Sequence, residues 1–144
     1  MERILVAIDG RHGAWEALSH ACSLAKRVQV LVYVLLVMPT APGRERATDK
    51  GGWQSVKKRL ELHLAAAKAE GLAINYFMTE GHYEDEVINF VNHHKIALLV
   101  HETRGKDARS AARDAVALRA LRHRLTCKLE VVAPMKTLVA YPRG

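Results

Sequence analysis

Short apolar runs that alternate with helical repeats are the feature that most constrains how this chain can fold. The first run, Ile4–Ile8, is uninterrupted and stops at Asp9. Such a short, continuous run is typical of a strand that is covered on both faces. Ala14 and Leu18 then begin an apolar repeat at helical spacing, which predicts an amphipathic helix to about Arg27. The chain therefore opens with a buried strand followed by a helix.

The same alternation continues along most of the chain. Further strands are predicted at Val28–Val37, Leu72–Met78, Ile96–Val100 and Leu129–Ala133. Strands joined by helices run parallel with right-handed crossovers, so we expect an α/β fold with helices on both faces of an open, doubly wound, Rossmann-like sheet. We predict five parallel strands in the order 3-2-1-4-5, in one domain over residues 1–134 with a tail at 135–144.

Three more helices are predicted between these strands. The second contains Leu60 and Leu64 and stops at Gly71. The third begins at Glu84, with acidic residues in its first turn, where the helix dipole favours them. The fourth is expected to turn a single face toward the sheet. That face consists of Ala111, Ala115, Leu118 and Leu121.

Two connecting segments are predicted to be loops. Pro39–Gly52 is polar and rich in Pro and Gly, and His101–Lys106 follows the fourth strand. In a doubly wound sheet, ligands bind at the carboxyl ends of the strands where the strand order reverses. The turn after Asp9 and the loop after His101 are therefore the expected ligand-binding segments.

Composition sets limits on the class of protein. The chain has 144 residues and a net charge of +7, which permits anionic partners without identifying one. Its longest apolar run, Val30–Met38, is too short to cross a membrane, so no membrane association is expected. An apolar strand begins within a few residues of Met1, which predicts the absence of a signal peptide and a cytoplasmic location.

The order of these segments resembles the universal stress protein family. Ile4–Gly10 is similar to the family's first strand, Leu36–Pro39 to its second, and Gly81–Ile88 to the segment that leads into its third helix. Leu98–Val100, and Leu121–His123 followed by Cys127, continue the resemblance over nearly the whole chain.

In that family the Asp that ends the first strand faces the pocket for adenine and ribose. The resemblance therefore assigns Asp9 and Val37, at the ends of the first two strands, to that pocket. Asp9 is equally explained as the residue that simply ends its strand.

The family's nucleotide motif is G-x-x-G, then nine residues, then G-[S/T]. In members that bind nucleotides, its backbone N–H groups and hydroxyl hold the phosphates. Here Glu102 and Gly105 occupy the first two glycine positions, and Ala115-Val116 the last pair. Glu102 adds bulk and negative charge, and Val116 lacks the hydroxyl. These departures from the family's motif predict that the chain binds no cofactor. The alternative is ATP or another adenine nucleotide.

Basic residues in the same segment leave a second possibility open. Arg104, Lys106, Arg109 and Arg113 could hold a phosphate or sulfate without the glycines, or could be a solvated helix start. The segment from Arg104 to Arg124 contains no aromatic residue for base stacking, so the sequence does not favour nucleic acid.

Together these features predict a non-enzymatic regulatory or stress-response protein without tight ATP binding. The alternative is a binding protein for an adenine nucleotide or another phosphate ligand, with a rearranged phosphate loop. No catalytic triad, carboxylate pair or Walker A motif indicates an enzyme, and the scattered histidines do not indicate a metal site. The resemblance also implies a homodimer through the last strand, Leu129–Ala133, whose apolar edge needs a cover.

Overall fold

The computed structural model describes residues 2–39, 43–105 and 108–134, with side chains described from residue 53 onward in the second range. The predicted tail at 135–144 and Lys106 lie outside the described residues. The elements are β1 (Glu2–Asp9), α1 (Trp15–Arg27), β2 (Val30–Met38), α2 (Gly43–Ala69), β3 (Ile74–Glu80), α3 (Tyr83–His94), β4 (Leu98–Glu102), α4 (Ala108–Arg124) and β5 (Lys128–Val132). None of the helices described here is long and apolar enough to cross a membrane.

The strands form one parallel, five-stranded sheet in the order β3-β2-β1-β4-β5, which confirms the predicted fold. β1 lies at the centre, where Asp9 pairs in register with Val37 of β2 and Val6 pairs with Val100 of β4. The strand order reverses between β1 and β4. The carboxyl ends of these two strands therefore form the topological switch point of the sheet.

The two faces of β1 belong to two separate cores. Ile4, Val6 and Ile8 pack with α1 and α2, while Leu5 and Ala7 pack with α3 and α4. Each of these side chains is at most 2% exposed. Because strand residues alternate between faces and both faces are covered, the strand needs an uninterrupted apolar run.

The beginning of α2 corrects the loop prediction for Pro39–Gly52 from residue 43 onward, while residues 40–42 lie outside the described residues. The helix begins at Gly43 and passes through Gly51 and Gly52. Each Gly in a helix costs only about 1 kcal/mol relative to Ala, and the segment 44–47 is Arg-Glu-Arg-Ala, which favours helix. The density of Gly and Pro was therefore a poor guide to where this helix starts.

The inward face of α4 also differs from the prediction. Leu121 is buried as predicted, but Ala111 and Ala115 are exposed and Asp114 is buried. A buried carboxylate lies on the inner face and interrupts the apolar repeat. The face predicted from apolar spacing is therefore rotated about the helix axis from the face that packs against the sheet.

Smaller corrections concern strand ends. β4 extends through His101 and Glu102, which were predicted to lie in a loop. β2 starts at Val30 rather than Val28, because Val28 caps α1 by donating its N–H to the carbonyl of Leu24.

Candidate functional site

The turn after β1 is organised by Asp9. Its backbone carbonyl accepts the N–H groups of Gly13 at 2.9 Å and His12 at 3.1 Å. Its carboxylate accepts the N–H of Arg11 at 2.8 Å and contacts Nδ1 of His12 at 3.3 Å. Nη2 of Arg104, from the loop after β4, donates to the same carboxylate at 3.2 Å. Asp9 therefore joins the loops that follow β1 and β4.

The charge state of Asp9 follows from these contacts. Burial by itself would raise the pKa of Asp9, but the hydrogen bonds from His12 and Arg11 and the charges of His12 and Arg104 lower it below its usual value. Asp9 is thus a carboxylate at neutral pH and is already paired with the guanidinium of Arg104.

A cavity of about 830 Å³, here called the outer cleft, opens at the switch point. Its walls come from the turn after β1, the end of β2, the start of α3 and the side of α4. Charged residues in its lining are Asp9, Arg11, Glu84, Arg104 and Arg113. Three arginines thus face two carboxylates, and the cleft is formally cationic. Val37, Pro39 and the ring of Tyr83 supply less polar wall.

A smaller cavity of about 210 Å³, the inner cavity, lies behind Asp9. Asp9, Tyr83 and Arg104 line both spaces and separate them. The remaining wall includes Trp15 of α1 and His101 of β4.

Glu102 does not face the outer cleft. Its Oε1 accepts the N–H of Ala17 at 2.9 Å in the first turn of α1, a helix whose N-cap residue, Ala14, makes no side-chain cap. Burial raises the pKa of Glu102, and the N–H groups of Ala17 and Glu16 oppose that shift only in part. Glu102 therefore serves as a cap supplied from another element, at the positive end of the helix dipole.

Asp114 accepts a hydrogen bond from a backbone N–H of the loop after β4. Its two carboxylate oxygens accept the N–H of Arg104 at 2.9 and 3.1 Å, and its side chain is only 8% exposed. The loop is anchored on its other side by the N–H of Thr103, which donates to the carbonyl of Val132 at 2.9 Å. In this chain an internal carboxylate holds the backbone donor at Arg104.

Tyr83 and His101 form a polar pair beside the inner cavity, and Tyr83 also lines the outer cleft. The Tyr83 hydroxyl lies 3.1 Å from Nδ1 of His101 and 3.5 Å from the carbonyl of Ala7. Burial raises the pKa of Tyr83 well above its usual range, and burial lowers the pKa of His101. Both side chains are therefore neutral at neutral pH, and Nε2 of His101 has no hydrogen-bond partner among the described residues.

The predicted site residues divide into three groups. Asp9, Val37, Arg104 and Val116 line the outer cleft, and Glu102 lines only the inner cavity. Gly105 and Ala115 line neither space, and Ala115 lies in a different depression on α4. The structure thus brings four of these seven positions together in the cleft.

Sequence reasoning missed Tyr83 and Asp114 as site residues. The predicted third helix begins at Glu84, whereas α3 begins one residue earlier, at Tyr83. Asp114 carried a weak signal, since it is the one acidic residue in the arginine-rich α4. In the described part of the chain, no group of three or more His, Cys, Asp or Glu side chains could hold a metal ion.

Comparisons with known proteins agree with this architecture. The family model described as Universal stress protein family matches residues 1–132. A universal stress protein of Methanocaldococcus jannaschii is 28% identical over 113 residues, which are 73% of this chain and 66% of that relative. The chain thus spans about two thirds of the length of this curated relative.

Solved structures share the fold. The universal stress protein UspA from Lactobacillus plantarum has a TM-score of 0.71 and 15% identity, over 91% of this chain and 97% of that one. A universal stress protein solved in complex with cAMP has a TM-score of 0.68 and 18% identity, over 91% of this chain and 96% of that one.

Proposed function

This chain belongs to the universal stress protein family, and from that premise we propose that it is a non-enzymatic regulatory protein whose outer cleft binds an adenosine monophosphate, cyclic or open, in preference to ATP. The observation that carries the proposal is the bond between the Asp114 carboxylate and the Arg104 N–H. A phosphate cannot take a backbone donor that a buried carboxylate already holds. The phosphate contact that this donor would make is left to side chains.

The side chains of the outer cleft suit a small anionic group. Arg104 and Arg113 approach from the loop after β4 and from α4, and guanidinium groups bind phosphate oxygens in pairs. Asp9 and Glu84 offset part of this positive charge. A cleft with a small formal charge complements a single phosphate better than a triphosphate, because the two carboxylates would repel the further charges.

Two further points support a monophosphate. The cleft volume of about 830 Å³ lies within the range of small-molecule sites. A structural neighbour was solved with cAMP, which is an adenosine monophosphate. The sequence-based prediction of weak ATP binding and its alternative of an adenine-nucleotide ligand are both contained in this proposal.

The carboxylates near the cleft favour binding over catalysis. Asp9 holds the turn after β1, Glu102 caps α1 and Asp114 anchors the loop after β4. Each of these three acids is engaged in a structural hydrogen bond, and Glu84 lies 3.1 Å from Nδ1 of His82, so we expect none of them to act as a general base. We expect the protein to act in the cytoplasm and to release bound nucleotide unchanged.

Calorimetric titration with AMP, cAMP and ATP tests the proposal. We expect AMP or cAMP to bind at least about tenfold more tightly than ATP, a difference of about 1.4 kcal/mol. Arg113→Gln is expected to weaken binding of the monophosphate. Arg119→Gln is the matched control, because Arg119 lies on the same helix but does not line the cleft.

Two results would contradict the proposal. ATP that binds as tightly as AMP would show that the anchored loop still accepts a triphosphate. Equal loss of affinity in Arg113→Gln and Arg119→Gln would show that the effect comes from the net charge of the protein and not from a contact between Arg113 and the ligand. Chromatography of the nucleotide after incubation separately tests the absence of turnover.

A further inference from the structure

The outer face of α4 carries cationic side chains that the proposed ligand site does not use. Arg109, Arg119 and Arg122 are exposed and make no ion pair with any described residue. Arg124 differs, because its Nη1 lies 2.7 Å from Oδ1 of Asp85 on α3. Asp114 is the one acid of α4 and is buried, so nothing on the outer face of this helix offsets its arginines.

A shallow depression of about 630 Å³ lies on this face. Its lining consists of Ala115, Leu118, Arg119, Arg122 and His123. The alanine and leucine form an apolar floor, and the longer side chains form a cationic rim. Val116, which directly follows Ala115 and lines the outer cleft, is 68% exposed and extends the apolar character between the two spaces.

The chemistry of the depression favours one kind of occupant. A second copy that presented the same face would bring like charges together. Nucleic acid would use the arginines through its phosphates, but α4 has no aromatic side chain for stacking, and phosphate contacts need no apolar floor. An apolar side chain flanked by carboxylates satisfies both the floor and the rim.

We propose that the outer face of α4 is a docking surface for an acidic polypeptide segment. An apolar side chain of that segment enters the depression over Leu118, and its carboxylates pair with Arg119 and Arg122. Arginines around a small apolar centre are typical of the residues that dominate protein interfaces. None of the residues that line the depression also lines the outer cleft.

The test uses the full chain and a fluorescein-labelled helical peptide of Glu, Ala and Leu that is as long as α4, with Glu and Leu on one face. We expect fluorescence anisotropy to detect binding that weakens as salt increases. Arg119→Glu combined with Arg122→Glu is expected to lower the affinity at least about tenfold. Lys58→Glu combined with Lys68→Glu is the control, because these exposed lysines on α2 give the same change of net charge.

A second peptide, in which Ser replaces each Leu, tests the apolar floor and is expected to bind more weakly. Failure of the first peptide to bind overturns the proposal. Equal loss in the α4 and α2 variants, or equal binding of the two peptides, reduces the effect to general charge and also overturns it. Stronger binding of a DNA duplex than of the peptide would assign the surface to nucleic acid instead. Circular dichroism checks that each variant folds. If the reversed charges prevent folding, the variant Arg119→Gln with Arg122→Gln replaces them in the test.

Discussion

At the scale of single residues, Glu102 contributes to the molecule mainly through its contact with α1. It occupies the position of the first glycine in the family's nucleotide motif, yet its Oε1 accepts the N–H of Ala17. Sequence reasoning predicts that this position departs from a phosphate loop, and that remains a prediction. It could not identify the partner, because Ala17 is distant in sequence and becomes a neighbour only when β4 lies beside β1.

We expect Glu102→Ala to destabilise the protein by about 1 kcal/mol, the usual cost of a lost helix cap. Urea unfolding measures this as a lower midpoint with an unchanged slope. Glu80→Ala is the control, since Glu80 is exposed at the end of β3. An equal effect in the two variants would show that Glu102 does not act as a cap.

Asp9 is expected to give the protein a stability that depends on pH. Its pKa is lowered in the folded state, so it stabilises the fold above its unfolded pKa of about 3.9. That contribution is lost as the pH falls through the lower, folded value. The difference in free energy of unfolding between the parent and Asp9→Asn should therefore be larger at pH 7 than near pH 3. A difference that grows on acidification would contradict this assignment.

At the scale of elements, the order and direction of strands were predictable from sequence, because apolar runs in a covered parallel sheet are uninterrupted. The face of α4 was not, since Asp114 takes an inward position where the repeat led us to expect an alanine. Apolar periodicity identifies a buried face only when that face is apolar. Here a buried carboxylate is stabilised by a backbone N–H, a contact that no local pattern reveals.

The turn between β1 and α1 depends on Gly13. Its φ of +78° lies in the left-handed region, and an added Cβ would lie 2.8 Å from Cε2 of Trp15. Gly71, after α2, has a similar φ of +87°, but an added Cβ there would meet no atom within 4 Å. Both alanine variants should lose about 1 kcal/mol to backbone strain. We expect Gly13→Ala to lose more, because Trp15 must move.

Thermal unfolding ranks the two glycine variants, and tryptophan emission in a Trp53→Phe background reports the environment of Trp15. The expected result is a lower midpoint for Gly13→Ala than for Gly71→Ala, with a shifted emission only in the first. Equal midpoints would show that the contact with Trp15 relaxes without cost.

At the scale of the whole molecule, the two edges of the sheet are alike in the apolar side chains that they expose. In the described residues β3 and β5 are the edge strands. Each exposes one large apolar side chain, Met78 at 49% and Val131 at 38%. The resemblance to the family implies a homodimer through the β5 edge, and we propose that interface.

We expect the parent protein to be a dimer at micromolar concentration and Val131→Lys to be a monomer. A buried lysine without a partner is costly, and a symmetric interface would contain two of them near one another. Light scattering coupled to size-exclusion chromatography measures the mass of each species. Met78→Lys introduces the same charge at the opposite edge and is expected to remain dimeric.

The pair of variants separates the β5 interface from other modes of association. A dimer that survives Val131→Lys but not Met78→Lys would place the interface at β3, and a monomeric parent would remove the β5 interface altogether. The charge on α4 adds a constraint of its own, because an interface that brought Arg119 and Arg122 of two copies together would be weakened by repulsion. Dimer formation through β5 edges that leaves these arginines apart should therefore change little with salt, whereas association through α4 should strengthen as salt screens the repulsion.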